Sequence, residues 1–559
     1  MDSEARSEDR ARGRPREGPR HEEPAGRAPG GPGQNSRPGW KRPSPAALGG
    51  ALGVLLALPC ALWLWGFTVD DALIPARVAA HLRQGLGPRF NPGGALTDAV
   101  TPLGFAHWIA AWASLVRAEP SLFGSLAVAR GTGLLAWLGA AGLLGADLVQ
   151  VARGRRGTLA LGALAVGAFG LLGCVPLGAW AGSGLETPWV ALCCTWAARP
   201  RRGASLAAGL AAAWRPELLP WALVLIVART FFEVREGNAV AESGRSGYAV
   251  GGARGALGRL LPALAACIGP ALVVASVRQL WFGRPTPLSA VAKAPDLDHG
   301  LIYCLGVLVF SGPWWLLVSR WTWRVARDEP GTWGALAAAL GVHLAALIVA
   351  GGDWMPFYRL AVPVLPSVLL LGVAVAGAAL GEGGTRRGSR WGPWAAGLRG
   401  ALALSAGLLL LVGRGEDARR VLERRLEVVA AARPLLAGRT VAAVDVGWVA
   451  AASGGDVLDL AGVTEPRVAA LPGGHTTKRV SGALLVERGV DALVLLAQQG
   501  WPAEEWPRAR FRYGVDARLA PAAFDLGFRL EGRVPLPGTS WEYLVCTLPE
   551  RPTAQAVSR

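Results

Sequence analysis

Residues 47–66 have the sequence ALGGALGVLLALPCALWLWG, and Phe67-Thr-Val-Asp70-Asp71-Ala72 follows directly. An apolar run of this length is sufficient to cross the hydrocarbon core of a bilayer. Basic residues at Arg37, Lys41 and Arg42 precede the run, and positive charge favours the cytoplasmic side of a span. The stretch therefore predicts a membrane anchor with a cytoplasmic N-terminal flank and an acidic pair on the outer side.

The composition of the whole chain is also that of a membrane protein. The chain has 559 residues, of which 52% are hydrophobic and 17% are charged, whereas soluble proteins carry about 25% charged residues. The formal net charge is +17, but the arginines cluster between apolar runs, as the positive-inside rule predicts. Since no zinc-finger or RNA-binding motif accompanies this charge, we expect no nucleic-acid partner.

Apolar runs recur along the chain and predict many further spans. Eight long runs follow the first one, at residues 121–150, 157–181, 187–199, 259–281, 300–319, 332–351, 360–380 and 398–414. The run 203–232 is interrupted by Trp214-Arg-Pro-Glu217, and because proline disrupts helical hydrogen bonding we expect two half-helices there. Residues 102–116 form a shorter run, for which we expect a juxtamembrane or partly inserted helix. These patterns predict a polytopic α-helical membrane protein with about nine to eleven spans.

Three regions follow from these patterns. Residues 1–46 are rich in Arg, Glu, Gly and Pro without apolar periodicity, which predicts a disordered basic cytoplasmic tail. Residues 47–414 contain the predicted spans. Residues 415–559 begin with a helix that leaves the membrane and continue with strand patterns at 440–447, 456–460 and 491–496, a helix at 479–489 and a hairpin over 526–548. We therefore expect a small C-terminal α/β domain on the outer side.

Short polar motifs lie between the spans on the predicted outer side. They are Asp70-Asp71, Asn91-Pro-Gly-Gly94, Thr101-Pro-Leu103, Ser183-Gly-Leu-Glu-Thr-Pro188, Arg215-Pro-Glu217, the segment from Gly283 to Lys293, and Gly351-Gly-Asp-Trp-Met-Pro-Phe-Tyr-Arg359. Asp445-Val-Gly447, the segment from Leu458 to Pro466, and His475-Thr-Thr-Lys478 follow in the C-terminal region. In this order the motifs resemble those of bacterial glycosyltransferases of the C superfamily (GT-C), in particular the cell-wall arabinofuranosyltransferases that use decaprenyl-phosphate arabinose.

The resemblance implies an inverting glycosyltransferase. Such an enzyme would move a sugar, arabinofuranose in those relatives, from a polyprenyl-phosphate donor to a cell-envelope glycan or lipid acceptor. It would be a multi-pass protein of the bacterial inner membrane, in contact with membrane lipids, with a cytoplasmic N-terminus and a periplasmic C-terminal domain. The lipid-linked sugar would be a co-substrate, and we expect neither a cofactor nor a metal ion.

Transfer of this kind needs a base for the acceptor hydroxyl, cations for the leaving phosphate and a groove for the lipid. Asp70 and Asp71 are the candidate catalytic residues, with Asp70 as the first choice of base. Because two like charges this close raise the pKa of one carboxyl, the pair suits a proton acceptor. The structural alternative is that the pair caps the helix that follows, a position that favours Asp.

The remaining candidate residues carry charge or aromatic rings on other loops. Lys293, Arg359 and Arg215 are candidate ligands of the donor phosphate. The alternatives are interfacial snorkelling for Lys293 and Arg359 and an ion pair with Glu217 for Arg215. Candidate acceptor or sugar contacts are Glu186, Asp353, Trp354, Tyr358 and His475. For Glu186 and Asp353 the alternative is that they hold the loops together.

Two other classes of function remain open at this point. A transporter or flippase of lipid-linked sugars is the alternative outside enzymes, although no repeated half is found in the sequence. A non-enzymatic scaffold would not need carboxylates, cations and aromatic rings on several separate loops. The second choice within enzymes is transfer of a hexose, mannose or aminosugar to lipid A, a polysaccharide or a protein.

Overall fold

Helices dominate the structure, a computed structural model that describes residues 43–153, 174–242, 252–293, 296–382 and 391–549. The first half contains α1 (Pro45–Trp63), α2 (Leu73–Arg83), α3 (Phe105–Leu115), α4 (Leu122–Arg153), α5 (Val175–Ala181), α6 (Thr187–Ala197), α7 (Ala204–Trp214), α8 (Leu219–Glu242) and α9 (Gly252–Phe282). Next come α10 (Leu288–Ala292), α11 (Leu297–Phe310), α12 (Trp314–Leu317), α13 (Arg320–Asp328), α14 (Ala335–Val349), α15 (Leu365–Glu382), α16 (Trp391–Arg419) and α17 (Val421–Leu436). Most of the predicted tail, 1–46, lies outside the described residues.

Six helical segments in the described ranges are long and apolar enough to cross a membrane. They are Pro45–Trp63, Leu122–Arg153, Leu257–Phe282, Pro330–Val349, Val362–Gly381 and Gly392–Leu436. The first five coincide with predicted runs, and Gly392–Leu436 contains both the run 398–414 and the helix that was predicted to leave the membrane. The first two pack closely, because Gly53 of α1 lies so near α4 that a Cβ atom there would come within 2.2 Å of the Ala141 carbonyl oxygen. Small residues permit this approach between apolar helices.

Three of the predicted spans do not match a single long helix in the described residues. The run 187–199 contains only the 11-residue helix α6, and the run 300–319 is divided between α11 and α12. The division occurs at Ser311-Gly-Pro313, where Gly312 has φ +112° and proline removes a helical hydrogen bond. Most of the run 157–181 lies outside the described residues, apart from α5. The 11 residues of α3 extend about 16 Å, too short to span a bilayer, as expected for 102–116.

The predicted break in the run 203–232 is present. Helix α7 ends at Trp214, a 3₁₀ turn covers Pro216–Leu218, and α8 begins at Leu219. Arg215 at the break has extended backbone angles, φ −133° and ψ 90°, as expected for a residue before proline. The break therefore places Arg215 and Glu217 at the tip of a helical hairpin.

The C-terminal region contains a five-stranded sheet. Its elements are β1 (Val441–Ala443), α18 (Val446–Ser453), β2 (Val457–Asp459), α19 (Pro466–Ala469), α20 (Gly482–Glu487), β3 (Ala492–Gln498), α21 (Gly514–Asp525), β4 (Arg529–Pro535) and β5 (Trp541–Thr547). The strand order is β2-β1-β3-β5-β4. Strand β1 is parallel to β2 and β3, while β5 is antiparallel to β3 and β4. The predicted hairpin is thus β4–β5.

One predicted strand is shorter than expected. The pattern at 440–447 predicted a strand that ends at Gly447, but β1 ends at Ala443 and α18 begins at Val446. The first amides of α18 are bonded to a carboxylate from the opposite end of the sequence, Asp70. This contact stabilises a helix start where the local pattern favours a strand.

The sheet and the helices share one apolar core. Phe67 from the first loop and Leu73 from the start of α2 belong to the same buried cluster as Trp448 and Val494 from the sheet region. A second cluster fills the far side of the sheet, between the strands and α21. The sheet region therefore packs directly on the loops at one end of the helices.

Candidate functional site

Two cavities lie where the sheet region meets the helices. The larger one, about 710 Å³, is lined mainly by apolar side chains, including a stripe of α14 at Val342, Ala345, Ala346 and Val349. The smaller one, about 440 Å³, has a polar lining and lies against the sheet region. The linings share Asp71, Ile74, Lys293, Asp353 and Val463. Charged side chains thus mark the junction between an apolar cavity and a polar one.

Asp70 is used to hold the sheet region in place. Its two carboxylate oxygens accept the backbone N–H groups of Gly447 and Trp448, at 2.8 and 3.0 Å. These are the second and third residues of α18, so Asp70 acts as the helix cap from a distant part of the chain. A Cβ atom at Gly447 would lie 2.3 Å from the Asp70 carbonyl oxygen, so glycine is required for this approach.

Asp70 also belongs to a buried cluster of charged groups. Burial and the neighbouring Asp445 carboxylate raise the pKa of Asp70 to about 7, against the opposing effect of Arg425. Asp445 accepts the hydroxyl groups of Tyr513 and Tyr543, at 3.1 and 2.6 Å. A carboxyl with this pKa could accept a proton, but the oxygens of Asp70 are already engaged by α18.

Asp71 faces the junction of the two cavities. It lines both of them, and its side chain is 36% exposed. Its Oδ2 atom lies 4.0 Å from Nη1 of Arg359. The acidic pair therefore divides its roles: Asp70 caps the distant helix α18, and Asp71 points to the open space. The structural alternative expected a cap on the helix that directly follows the pair, and no side chain caps that helix. Asp70 was the first choice of base, but this geometry favours Asp71.

Arg359 and Asp353 form a buried pair at the junction. Arg359 Nε donates to Asp353 Oδ2 at 2.7 Å. Burial disfavours the charged form of Asp353, but Arg359, Lys293 and Arg215 together outweigh it and lower the pKa of that carboxyl. The pKa of Arg359 is raised, because the attraction of Asp353 and Asp71 exceeds the cost of burial. Both groups remain charged at neutral pH, and Arg359 presents a fixed cation to the cavity.

Arg215 is held by carboxylates at the tip of the α7–α8 hairpin. Its Nε atom lies 2.6 Å from Glu186 Oε1, and its Nη1 atom lies 3.4 Å from Glu217 Oε1. Both Arg215 and Glu186 are almost fully buried. The motifs Ser183–Pro188 and Arg215–Glu217 are therefore joined by an ion pair, and both line the apolar cavity.

Lys293 differs from the two arginines. It follows α10 and lines both cavities. Arg215 and Arg359 are held in salt bridges, whereas no carboxylate of the described residues lies within 4.0 Å of the Lys293 ammonium. Its positive charge contributes to lowering the pKa of Asp353 and of His475. Lys293 is thus a cation at the junction that is available for an anionic ligand.

The predicted aromatic contacts separate into two groups. Trp354 lines the polar cavity, stacks on His299 with ring centroids 4.1 Å apart, and has its side chain largely exposed. His475 lines the same cavity, and burial together with Lys293 lowers its pKa to about 4, so its ring is neutral at pH 7. Tyr358 lies outside both linings and packs on Tyr303 and Phe310, so its predicted sugar contact is not supported.

The polar cavity also contains residues that the sequence did not single out. Arg425 of α17 and Arg512 line it, together with Tyr513. Arg425 Nη1 donates to the Tyr543 hydroxyl at 3.1 Å. Arg425 lies among several neighbouring arginines in the sequence, at 419, 420 and 424, so no local pattern distinguishes the one that points into the cavity.

Three of the polar motifs have structural roles. Asn91 donates to the carbonyl oxygen of Val457 and accepts its N–H, both at 2.9 Å, and so extends the edge of β2. Asp459 accepts the backbone N–H groups of Ala461, Gly462 and Thr464 within its own turn. Lys478 donates to the carbonyl oxygens of Ala469 and Leu471. These motifs shape the walls of the site.

Among the residues that the structure describes, no group of three or more His, Cys, Asp or Glu side chains is placed to hold a metal ion. No protein-family model matches the chain, and no curated protein is significantly similar to it in sequence. The function is therefore inferred from the site and from the motifs.

Proposed function

We propose that the chain is an inverting glycosyltransferase that transfers a sugar from a polyprenyl phosphate to a cell-envelope glycan or lipid acceptor. Arabinofuranose is the sugar implied by the family resemblance. In this proposal the protein is a multi-pass protein of the bacterial inner membrane with about nine to eleven spans. Its N-terminus is cytoplasmic, and the sheet region lies on the periplasmic side.

The observation that carries the proposal is the meeting of an apolar and a polar cavity at Asp71, Lys293 and Asp353. A lipid-linked sugar has matching parts in the same order: an apolar chain, an anionic phosphate and a polar sugar. The stripe on α14 suits the chain, since its residues at i, i+3, i+4 and i+7 lie on one face of the helix. The polar cavity suits an acceptor glycan.

The cations at the junction suit the phosphate. Lys293 supplies an available ammonium group, and Arg359 a guanidinium held by Asp353 at 2.7 Å. Such groups stabilise negative charge that develops on a leaving phosphate, most strongly where water is excluded. Arg215 is further engaged with Glu186, so its role is to hold the hairpin tip beside the donor.

Asp71 is placed to be the general base. In the proposed step an acceptor hydroxyl oxygen attacks the anomeric carbon, the bond from that carbon to the phosphate oxygen breaks, and polyprenyl phosphate leaves with the electron pair. The hydroxyl proton passes to Asp71. Displacement from the opposite face inverts the anomeric configuration. Trp354 and His475 line the acceptor side, where an aromatic face and a neutral imidazole can contact a sugar.

The test is transfer by purified protein in nanodiscs. Radiolabelled polyprenyl-phosphate pentose and hexose donors are offered with short oligosaccharide acceptors, and glycan product and released polyprenyl phosphate are both quantified. We expect turnover of at least one donor, and a loss of about 100-fold or more in Asp71→Asn, since general bases contribute that much. Asp70→Asn should retain more activity than Asp71→Asn.

Two outcomes would contradict the proposal. Equal turnover by the parental protein and by Asp71→Asn would show that Asp71 is not the general base. Movement of intact donor between bilayer leaflets in proteoliposomes, without release of polyprenyl phosphate, would instead indicate a flippase.

A further inference from the structure

A strained turn lies directly before Arg359. Phe357 and Tyr358 have φ angles of +56° and +51°, a left-handed conformation that bulky residues other than glycine rarely adopt. Two consecutive residues of this kind persist only where the surrounding structure holds them. The turn determines where the guanidinium of Arg359 lies, because it ends at the residue before it.

Trp180 of α5 holds this turn. Its indole N–H donates to the Phe357 carbonyl oxygen at 2.9 Å, in a fully buried contact. Its ring also lies beneath Arg359, with the guanidinium carbon 5.9 Å from the ring centroid. A single side chain therefore contacts both the strained backbone and the cation that follows it.

The same side chain also contacts the segment that precedes the acidic pair. Phe67, three residues before Asp70, packs edge-on against both Trp180 and Phe357, with ring centroids 5.2 Å apart in each case. Thr68 donates to the carbonyl oxygen of Ser183, just beyond α5, at 2.9 Å. Phe67, Trp180 and Phe357 thus form an aromatic clasp that joins the loop of Asp71 to the loop of Arg359.

We propose that Trp180 is a positioning residue, which sets the distance between Arg359 and Asp71 through its hydrogen bond to Phe357. This inference rests on the proposed function, in which Arg359 binds the donor phosphate and Asp71 is the base. Without the indole N–H, the Phe357 carbonyl loses its buried partner and the turn can relax toward ordinary backbone angles. Arg359 then moves relative to Asp71 and the phosphate.

The chain offers a matched control for this test. Trp221 of α8 is as deeply buried as Trp180, but its indole nitrogen has no hydrogen-bond partner among the described residues. Each tryptophan is replaced in turn by 3-benzothienylalanine, which keeps the ring shape and has sulfur in place of N–H. Trp180→Phe and Trp221→Phe form a second pair that uses natural residues.

Two readouts are measured in nanodiscs. Hydrogen–deuterium exchange of residues 355–362 reports the turn without any need for activity, since Leu360 and Ala361 amides are bonded to Tyr303 and Tyr358 there. Binding of decaprenyl phosphate reports the position of Arg359. We expect faster exchange and about 10-fold weaker binding in the Trp180 variants, as for one lost hydrogen bond, and no change in the Trp221 variants.

The outcomes separate this inference from the proposed function. Unchanged exchange in both Trp180 variants, or equal changes at Trp180 and Trp221, would overturn the positioning role. Faster exchange with unchanged lipid affinity would also overturn it, because Arg359 would then not depend on the turn. Absence of decaprenyl phosphate binding by the parental protein would count against the proposed function, while the exchange data would still decide whether Trp180 holds the turn.

Discussion

At the scale of single residues, the acidic pair shows how neighbours in the sequence take different roles. Asp70 points to the amides at the start of α18, and Asp71 points to the junction of the cavities. The two side chains diverge because they follow one another in a 3₁₀ turn, Asp70–Ala72. One carboxylate can therefore fix the sheet region while the other remains available for chemistry.

The buried position of Asp70 predicts a dependence of stability on pH. Its folded-state pKa is about 7, above the value of about 3.9 in an unfolded chain. Between these values the folded state binds more protons, so the free energy of unfolding falls as pH rises, by up to about 1.4 kcal/mol per pH unit. Asp70→Asn should remove this part of the slope. Thermal unfolding in detergent between pH 4 and 8 measures it, and identical slopes in both proteins would contradict the assignment.

The cations at the junction should respond differently to substitution. Lys293→Met should raise the KM for the donor about 10-fold with little effect on stability, because a charge-assisted contact to phosphate is lost and no salt bridge is broken. Arg359→Met should also destabilise the protein, by about 3–5 kcal/mol, because it leaves Asp353 buried without its partner. Donor kinetics and thermal unfolding of both variants distinguish these effects. Equal destabilisation would show that Lys293 too is a structural cation.

At the scale of elements, the site depends on ends and edges of secondary structure. The amides at the start of α18 bind Asp70, the edge of β2 binds Asn91, and the tip of the α7–α8 hairpin presents Arg215. Each of these places leaves backbone groups without partners inside its own element. At α18 and β2 the side chains of Asp70 and Asn91 satisfy those groups, and their loops are fixed in return.

Asn91 provides a test of this principle at the sheet edge. Asn91→Ala removes both hydrogen bonds to Val457 and should lower the free energy of unfolding by about 1–3 kcal/mol. Asn91→Asp keeps the acceptor but loses the donor, and should give an intermediate loss. Thermal unfolding of the parental protein and the two variants measures the order of their stabilities. A stability of Asn91→Ala equal to that of the parental protein would show that the edge does not hold the first loop.

At the scale of the whole molecule, the motif loops gather at the end of the helices that carries the sheet. Asp71, Glu186, Arg215, Lys293 and Arg359 lie on five loops, and all of them line one cavity. The broken helix contributes to this arrangement, since α7 and α8 bring Arg215 back to the same end. Helices that crossed without a break would place it within the apolar bundle.

This arrangement predicts the orientation of the protein in its membrane. Cysteines introduced at Glu119 and Thr539, which are exposed on the sheet side, should react with an impermeant maleimide in intact cells. A cysteine at Arg202, exposed at the other end, should react only after the cells are opened. The parental protein controls for its seven native cysteines. Labelling of Arg202→Cys in intact cells would reverse or break the proposed topology.

Local features of the sequence specify the helical membrane architecture, the break at Arg215 and the approximate positions of the strands. Hydropathy and proline act locally, so a run of apolar residues predicts a helix that can enter a membrane whatever lies far along the chain. Prediction from local sequence fails at two places. Ser311-Gly-Pro313 divides a predicted span, and at Val446 a helix replaces the end of a predicted strand.

The tertiary structure alone decided which candidate residues meet. Asp70 and Gly447 are 377 residues apart in sequence, and nothing near either of them indicates the contact that leaves Asp71 as the open carboxylate. Packing likewise turned Tyr358 away from the cavities and brought Arg425 into one of them. Side-chain direction and pairing depend on neighbours from distant segments, because burial and charge are properties of the surroundings and not of the residue.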